Sequence, residues 1–427
     1  MRIYCTPQQD NENKYNPDLK VILFGKSDKV TEGHIGDLIW NKVKREKIKP
    51  TSKAWDLLSI ALSVISADYA GHRKKSHDGW TRVFDMIIAV SDSKFWNEQA
   101  SLLSKLLGFL TSDRWYFTFV DGGFQPEPTK SGEVKTFDND SIVLLSGGLD
   151  SLIGIIDLIA QKHSPVAVSQ LVLGDAKKQK DFSKIFKQDV PHVQLNHNHK
   201  IPNSETPSSQ RARSVFFLAY GILIATCLKK YEENKSVTLY MCENGYISIN
   251  PPLTAMRIGS LSTRTTHPIF LKMFQELIDN AELNVKIENP YQFMTKGQML
   301  SNCSNQALLK KHAYKSTSCG RYKRHGHKHC GRCVPCLVRR AAFKAWGVTD
   351  QTNYIYDDLS INSLNYSQYD DVKSIAIAVK ELENKGIDRW IGAHLNTAIL
   401  GDASRYKNTI VSGLNELQMF IQGYNII

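Results

Sequence analysis

The spacing of apolar and polar residues predicts alternating helices and strands along the whole chain. In residues 1–138, runs rich in β-branched and aromatic side chains predict strands at 20–24 and 115–120. Between them, apolar residues recur at intervals of three and four in 55–70 and 95–110, as they do in amphipathic helices. We therefore expect an α+β domain over 1–138, with contact to a partner or substrate as its role.

A second region follows a linker that is rich in proline, glycine and polar residues between Pro126 and Asp140. The apolar run 141–145 passes directly into glycines and then into a helical pattern at 152–160. Another apolar run follows at 166–173. This order of strand, loop, helix and strand predicts a doubly wound α/β domain with a parallel sheet.

The same alternation continues with a helix at 211–230 and a strand at 236–241. Beyond residue 350 the apolar period is helical, most clearly at 371–385 and 414–422. We therefore expect a helical C-terminal extension. We therefore predict three regions, with bounds 1–138, 139–350 and 351–427.

Charge adds a basic character to this picture. The formal net charge is +12, and basic residues concentrate at 177–187 and 310–340. Such a surface attracts polyanions. Two interpretations stay open: a basic face that only contacts solvent, and a surface that binds phosphate or RNA. Nucleic acid is therefore a possible partner but not a required one. No apolar run has the length of a membrane span and the first residues do not have the pattern of a signal peptide. We expect a cytoplasmic protein without membrane contact.

A candidate phosphate loop lies between the predicted strand at 141–145 and the helix that follows. Glycines let backbone N–H groups turn towards an anion, serines add hydroxyl donors, and the N-terminus of the helix favours negative charge. Asp150 could cap that helix or hold a Mg²⁺ bound to the phosphates. The spacing of a Walker loop is absent. The residues expected to bind ATP are Ser146, Gly147, Gly148, Leu149, Asp150 and Ser151.

Four of the eight cysteines fall close together: Cys319, Cys330, Cys333 and Cys336. Four thiolates are the number that a closed, structural Zn²⁺ site takes. An iron–sulfur cluster is the chemical alternative. His325, His327 and His329 lie inside the same segment and could substitute as ligands, but histidines in a basic hairpin more often face solvent, and four thiolates already complete the site. The scattered cysteines are expected to be buried apolar thiols.

The phosphate loop resembles the PP-loop of ATP pyrophosphatases, which cleave ATP between the α- and β-phosphates. Together with Thr295-Lys296 before a helix and with the cysteine motif followed by 339–343, it is similar to the QueC family of 7-cyano-7-deazaguanine synthases. The resemblance covers roughly 141–350. It implies an ATP-dependent carbon–nitrogen ligase that activates 7-carboxy-7-deazaguanine as an acyl adenylate. Gln298 stands where that family has an acidic residue, which leaves nitrile formation open.

The resemblance also implies roles for individual residues. Asp150, Ser151, Lys296 and Arg213 are the expected catalytic residues, and Arg211 lies near the substrate. In the middle segment, Arg257, Arg264 and His267 could pair with a carboxylate or phosphate, whereas Glu243 and Asn244 could read the edge of a guanine-like base. A surface loop with incidental charges is the alternative interpretation.

The regions that flank the QueC-like part resemble the QueC-like components of bacterial Qat anti-phage systems. That resemblance implies a protein partner from the same defence operon as the amine acceptor. Three alternatives stay open: a housekeeping-type synthase that uses ammonia, a PP-loop enzyme that modifies tRNA, and a non-catalytic nucleotide-binding scaffold.

Overall fold

The computed structural model describes residues 1–8, 15–127, 134–205, 211–253, 264–360, 371–391 and 400–424. Within these residues, the strands form two sheets of five strands each. The first sheet contains β1 Arg2–Thr6, β2 Leu19–Leu23, β3 Gly33–Ile35, β4 Val83–Val90 and β5 Arg114–Asp121. The second contains β6 Ser141–Leu144, β7 Pro165–Gln170, β8 His192–Leu195, β9 Val237–Tyr240 and β10 Val285–Glu288.

Helices connect and cover both sheets. Those of the N-terminal region are α1 Asp37–Glu46, α2 Ser52–Ala70, α3 Ser93–Glu98 and α4 Ala100–Thr111. Those around the second sheet are α5 Leu149–Ala160, α6 Ala176–Phe182, α7 Arg213–Ala225, α8 Lys229–Glu232, α9 Gly245–Ser248, α10 Pro268–Asn280, α11 Lys296–Asn302, α12 Gln306–His312 and α13 Val334–Trp346. The last are α14 Val372–Lys385, α15 Ile387–Ile391 and α16 Ala403–Gln422.

The N-terminal sheet has the strand order β3-β2-β1-β4-β5, and all its neighbouring strands are parallel. Helices α1 and α2 connect β3 to β4, and α3 and α4 connect β4 to β5. Each crossover returns the chain to the same end of the sheet, as parallel neighbours require. The predicted mixture of helix and strand over 1–138 is therefore present, but its arrangement is α/β rather than α+β.

Helix α2 is buried on all sides. Every residue from Ala54 to Ala70 is buried, because α2 packs on the N-terminal sheet with one side and on α7 with the other. Ser59, Ser63 and Ser66 donate their hydroxyls to carbonyls four residues earlier, which removes the cost of burying them. A helix covered from both sides needs no polar stripe, so the amphipathic interpretation of 55–70 was wrong.

The second sheet has the strand order β10-β9-β6-β7-β8 and is parallel throughout. Ile142 of β6 faces the core that contains α7, whereas its neighbour Val143 faces the core that contains α5. The strand order reverses between β6 and β9, which is the switch point of a doubly wound sheet. The predicted parallel α/β fold is confirmed. The helix predicted at 211–230 is shorter and ends at Ala225.

The two C-terminal segments predicted most clearly as helical, 371–385 and 414–422, lie in α14 and α16. Leu337 of α13 shares one core with Ile375 of α14 and with Ile410 and Leu417 of α16. Tyr246 of α9 belongs to the same core, so α16 lies against the second sheet's connecting loops. None of the described helices combines the length and the apolar character of a membrane span.

Buried charges tie α7 to the N-terminal region. Asp68, near the end of α2, accepts the Ala212 N–H at 3.2 Å and pairs with Arg82 at 2.6 Å. Arg82 also pairs with Asp113 at 2.6 Å, and Asp113 pairs with Arg73 at 2.8 Å. The side chains of Asp68 and Asp113 have no exposed surface. Their charges are compensated by the Arg73 and Arg82 guanidinium groups and nearby N–H donors, and the charge of Arg211 also acts on both carboxylates.

The substitution Arg82→Met is expected to lower the free energy of unfolding by about 3–5 kcal/mol, because buried Asp68 then loses its paired guanidinium and Asp113 keeps only that of Arg73. Urea unfolding followed by tryptophan fluorescence measures the change. Arg114→Met, at an exposed arginine that begins β5, is the matched control. Equal urea midpoints for the two variants would contradict this role of Arg82.

Candidate functional site

A crevice opens at the carboxyl ends of β6, β7 and β9, beside the switch point of the second sheet. It encloses about 290 Å³. Ligands of open parallel sheets bind at this position. Its polar lining is supplied by Ser146, Ser151, Gln170, Arg213, Glu243 and Thr266. A larger groove of about 940 Å³ lies at the amino ends of the N-terminal strands and contains none of the predicted site residues.

The phosphate loop is closed by its two serines. Ser146 Oγ accepts the Gly148 N–H at 3.2 Å and lies 3.2 Å from Ser151 Oγ, which donates to the Gly148 carbonyl at 3.0 Å. Helix α5 begins at Leu149, and among the described residues no side chain caps it. The first N–H groups of such a helix lack intrahelical acceptors and carry partial positive charge. The loop and the helix start together have the geometry of an anion cradle.

Two neighbouring segments hold this loop in place. Gly147 has a φ of +84°, which residues with a Cβ rarely adopt. Its carbonyl accepts the Thr317 N–H at 3.0 Å, and Gly148 forms an isolated parallel bridge with Thr317. From α6, Gln179 donates to the Ser146 carbonyl at 3.2 Å. The loop is thus fixed by α6 and by the segment that immediately precedes the cysteine cluster.

Asp150 lies in the first turn of α5 and has both carboxylate oxygens hydrogen-bonded. Oδ1 accepts a hydrogen bond from the Lys296 ammonium. Oδ2 accepts the Asn244 side-chain amide at 2.7 Å and the Asn244 backbone N–H at 3.2 Å. All three residues are buried. The carboxylate therefore connects α5, the loop after β9 and α11; it neither caps α5 nor stands free for a Mg²⁺.

Glu243 lies beside this buried pair, and its pKa and that of Asp150 are shifted in opposite directions. Burial raises the pKa of Glu243 well above 4.5, and the adjacent Asp150 charge raises it further. Burial also acts to raise the pKa of Asp150, but the Lys296 charge and hydrogen bonds from Glu243 and Asn244 outweigh it and lower that pKa below 3.8. The proton of the pair therefore resides on Glu243, and Asp150 stays ionised.

Lys296 begins α11 and is placed by a capping box. Thr295 Oγ1 accepts the Gln298 N–H at 3.1 Å, and Gln298 Oε1 accepts the Thr295 N–H at 2.9 Å. Glutamine performs this second hydrogen bond as well as glutamate does. Gln298, where the resembling family has an acidic residue, thus preserves the start of the helix.

Several predicted residues come together here. Arg213 and Glu243 line the crevice with the two serines of the phosphate loop. Lys296 and Asn244 contact Asp150, the residue in the first turn of α5 that follows the phosphate loop. Asn244 is fully buried and also caps α9 through the Ile247 N–H, so it organises the site and does not offer an edge to a base.

Arg211 lies outside the crevice, against the N-terminal region. Its Nη1 donates to the Thr111 carbonyl at 3.2 Å, and its guanidinium carbon lies 4.4 Å from the centre of a Trp80 ring. These contacts place it beside the buried charges that fix α7. Arg211 is therefore part of the contact between the sheets, which corrects its predicted place near a substrate.

Arg264 and His267 also have structural contacts in place of the predicted ligand contacts. Arg264 donates to the Phe109 carbonyl at 2.9 Å. His267 caps α10 by accepting the Ile269 N–H at 3.3 Å. Neither side chain lines the crevice. Arg257 lies outside the described residues.

The four predicted metal ligands form one compact group. All four sulfur atoms lie within 4.8 Å of one another, with Cys319 and Cys333 at 3.9 Å and Cys330 and Cys336 at 4.0 Å. Tetrahedral Zn²⁺ with bonds of about 2.3 Å places its sulfurs about 3.8 Å apart. The arrangement fits one tetrahedral ion; an iron–sulfur cluster, with its own irons and sulfides, needs a wider cage.

The three histidines of this segment are not in the group. His329 Nε2 accepts the Ser318 N–H at 3.1 Å, and burial lowers its pKa to about 4, so the ring is neutral. The His327 ring packs edge-on against Tyr322, and His325 packs against Tyr356. Their predicted role as substitute ligands is not supported by this geometry.

Exposed basic residues lie on and after α6 and in the segment 310–328, which includes the first cysteine of the cluster. Lys178 of α6 donates to Thr317 Oγ1 and to the Tyr322 hydroxyl, which joins the two parts beside the phosphate loop. We call this the basic surface. Its exposed residues are Lys177, Lys180, Lys184, Lys187, Lys310, Lys311, Lys315, Lys323, Arg324 and Lys328.

Several residues of the site were not predicted, among them Gln170 and Thr266 of the crevice lining. Thr317 stands two positions before Cys319, so its closeness to the cysteine motif was an available signal. Gln179 lies in a highly charged helix with no distinguishing pattern. Glu416 contacts Thr295 across 121 positions, a distance over which no local pattern can act.

The parallel sheet, with the candidate phosphate loop at its switch point and a four-cysteine cluster, is an α/β fold of the PP-loop type. Residues 265–347 match the family model described as queuosine biosynthesis protein QueC. The chain is 27% identical over 252 residues to a 7-cyano-7-deazaguanine synthase of Leptospira interrogans, covering 52% of this chain and 93% of that protein. The corresponding protein of Methanococcus maripaludis is 23% identical over 246 residues, 51% of this chain and 99% of that protein.

A shorter match has higher identity. 7-Cyano-7-deazaguanine synthase 1 of Mesorhizobium japonicum is 33% identical over 101 residues, which are 23% of this chain and 40% of that protein. Nearly the full length of the Leptospira and Methanococcus proteins is thus matched by about half of this chain.

Metal analysis of the purified full chain is expected to find about one zinc ion per chain. Cys333→Ser should lose that zinc and unfold at a lower temperature, because structural zinc binding is coupled to folding. Cys303→Ser, at a buried cysteine outside the cluster, should keep its zinc. Iron with labile sulfide in place of zinc, or an unchanged melting temperature for Cys333→Ser, would contradict the assignment.

The stability of the native chain relative to Glu243→Gln is expected to fall as the pH rises. The pKa of Glu243 in the folded state lies above 4.5. The contribution of its protonated form to the stability of the folded state is therefore fully present below about pH 4.5, and it is lost as the pH rises through the folded-state pKa. Melting temperatures of both proteins across about pH 4 to 8 measure the difference. Parallel curves would show that Glu243 does not hold the proton.

Proposed function

We propose that this chain is an ATP-dependent carbon–nitrogen ligase that adenylates the carboxylate of a deazaguanine and releases pyrophosphate. The uncapped start of α5 beside Ser146 and Ser151 is the observation that carries the proposal, because it presents N–H and hydroxyl donors to an anion at the switch point. The similarity to 7-cyano-7-deazaguanine synthases supports 7-carboxy-7-deazaguanine as the substrate.

In the first step, a carboxylate oxygen of the substrate attacks the α-phosphorus of ATP. The bond from that phosphorus to the oxygen shared with the β-phosphate breaks, and pyrophosphate leaves with the electron pair. Donors at the start of α5, with Ser146 and Ser151, stabilise the charge that develops on this leaving group. Arg213, in the same crevice, is placed to orient the carboxylate or the α-phosphate.

A Mg²⁺ carried by ATP would neutralise part of the pyrophosphate charge. Because both Asp150 oxygens are occupied by Lys296 and Asn244, the hydroxyls of Ser146 and Ser151 are the better candidates to hold it. Asp150 and Lys296 then act by holding the phosphate loop against α11. The Cys₄ group would hold Zn²⁺ as a structural ion.

In the second step, an amine nitrogen attacks the acyl carbon, AMP leaves with the electrons of the acyl–oxygen bond, and the amine loses a proton. We propose an amine of a partner protein as this acceptor, as the resemblance to QueC-like components of Qat anti-phage systems implies. About half of this chain lies outside the part that matches the synthases, and these additional residues could contact a partner protein. Ammonia as the acceptor would make it a housekeeping-type synthase.

The basic surface favours one further candidate, a PP-loop enzyme that modifies tRNA. Lys178 joins α6 to Thr317 beside the phosphate loop, and the exposed basic residues of the same two segments could bind a phosphate backbone. The complete phosphate loop argues against the non-catalytic scaffold. We rank the tRNA function second, because the matched relatives are named as synthases of a small deazaguanine.

The full chain is expected to release pyrophosphate from ATP when 7-carboxy-7-deazaguanine is added. Asp150→Asn should lower that rate by about 100-fold or more, because the change removes the charge that holds Lys296 behind the loop. Asp157→Asn is the matched control: this aspartate is also buried on α5, but it binds Tyr291 and Ser304. A pyrophosphate assay with both variants tests the assignment.

Other outcomes separate the alternatives. Release that requires tRNA would favour tRNA modification, and ATP binding without turnover would favour the scaffold. Intact-mass analysis of proteins co-expressed from neighbouring genes distinguishes the acceptors: an added mass of one deazaguanine supports a protein amine, and free amide or nitrile product supports ammonia. Unaltered release by Asp150→Asn would refute the proposed role of Asp150.

A further inference from the structure

The C-terminal helix α16 reaches the site through one buried carboxylate. Glu416 accepts a hydrogen bond from the Thr295 hydroxyl and a second from the Gly297 N–H at 3.3 Å. These two donors belong to the residues on either side of Lys296. Glu416 as a whole residue is 9% exposed, so little water competes with these bonds.

The hydroxyl of Thr295 has two partners at once. It donates to Glu416 and accepts the Gln298 N–H, which begins α11. The bond to Glu416 therefore orients the Thr295 oxygen that caps the helix. Rotation of this hydroxyl would weaken the cap and move the first residue of α11, which is Lys296.

Gly297 leaves the space that Glu416 occupies. A Cβ at position 297 would lie 2.5 Å from Glu416 Oε1 and 2.9 Å from Oε2. Contacts this short force the carboxylate away. Glycine here thus permits the close approach of α16 to the residue that follows Lys296.

The same helix supports the second partner of Asp150. The Tyr246 ring packs against α16 beside Gly413, in one core with Leu414 and Leu417. Tyr246 follows Asn244 by two positions in the short helix α9. Helix α16 therefore contacts both segments that supply hydrogen bonds to Asp150.

From these contacts we infer that Glu416 is a positioning residue for Lys296, so that the C-terminal helix is a working part of the site. The inference rests on the proposed function of the phosphate loop. Glu416 fixes Thr295 and Gly297, these fix Lys296 between them, and Lys296 fixes Asp150 at the start of α5. Burial raises the pKa of Glu416, and the hydrogen bonds from Thr295 and Gly297 with the nearby Lys296 charge oppose that rise.

The full-length variant Glu416→Ala is expected to lower kcat for pyrophosphate release by about ten- to hundredfold, with KM for ATP changed by less than about threefold. Gly297→Ala displaces the same carboxylate without removing it. It should also lower kcat while leaving KM for ATP nearly unchanged. Asn415→Ala, at an exposed residue of α16, is the matched control. A kcat for Glu416→Ala equal to that of Asn415→Ala would overturn the inference.

A double-mutant cycle separates positioning from a loss of stability. If Glu416 acts through Lys296, Glu416→Ala should have little further effect on kcat in a Lys296→Ala background, although it still lowers the melting temperature. A full additional loss of kcat in that background would show that Glu416 does not act through Lys296.

A crystal structure of the variant tests the position of Lys296 directly, without relying on the proposed reaction. If the native chain releases no pyrophosphate with ATP and 7-carboxy-7-deazaguanine, the proposed function fails on its own. The structure of Glu416→Ala should then still show the Lys296 ammonium displaced from Asp150. An unchanged contact between Lys296 and Asp150 in that variant would overturn the positioning role.

Discussion

A buried, ionised carboxylate persists only where charge and hydrogen bonds compensate for its lost hydration. Asp150 meets this condition through Lys296 and Asn244, which come from two segments distant in sequence. Each partner is itself fixed by a helix cap, Lys296 in α11 and Asn244 in α9. The start of α5, and with it the phosphate loop, can take its observed position only when all three segments have folded around this one charge.

The cysteine cluster is connected to the same loop by a direct route. Thr317 pairs with Gly147 and Gly148 and lies two positions before Cys319. The group that fits a structural metal is therefore separated from the anion cradle by a few backbone bonds. A structural ion here would order the loop as well as its own segment, because the segment has few other apolar contacts apart from surrounding tyrosines.

The parallel second sheet, the phosphate loop and the cysteine set were predictable because each has a local pattern: an apolar run, paired glycines, or close thiols. The burial of α2 on two sides was not predictable. Its sequence has the same spacing of apolar residues as a helix with one buried face, and the second face is identified only when its contact with α7 is known. Arg211 was placed near a substrate by the family resemblance, and Arg264 and His267 were assigned to a ligand on chemical type. In the structure Arg211 and Arg264 donate to carbonyls of the N-terminal region, and His267 caps a helix. Glu416 could not have been found, because only the folded chain brings it to Thr295.

The packing of α2 on α7 also bears on how the chain can be divided. The outer face of α7, including Val215, Leu218 and Ile222, lies in one continuous core with the N-terminal sheet. A chain shortened to begin at residue 139 would present that apolar face to water and would be prone to self-association. A cut at the predicted boundary 138/139 would therefore remove α2 from α7, and the N-terminal region serves as the outer layer that covers α7.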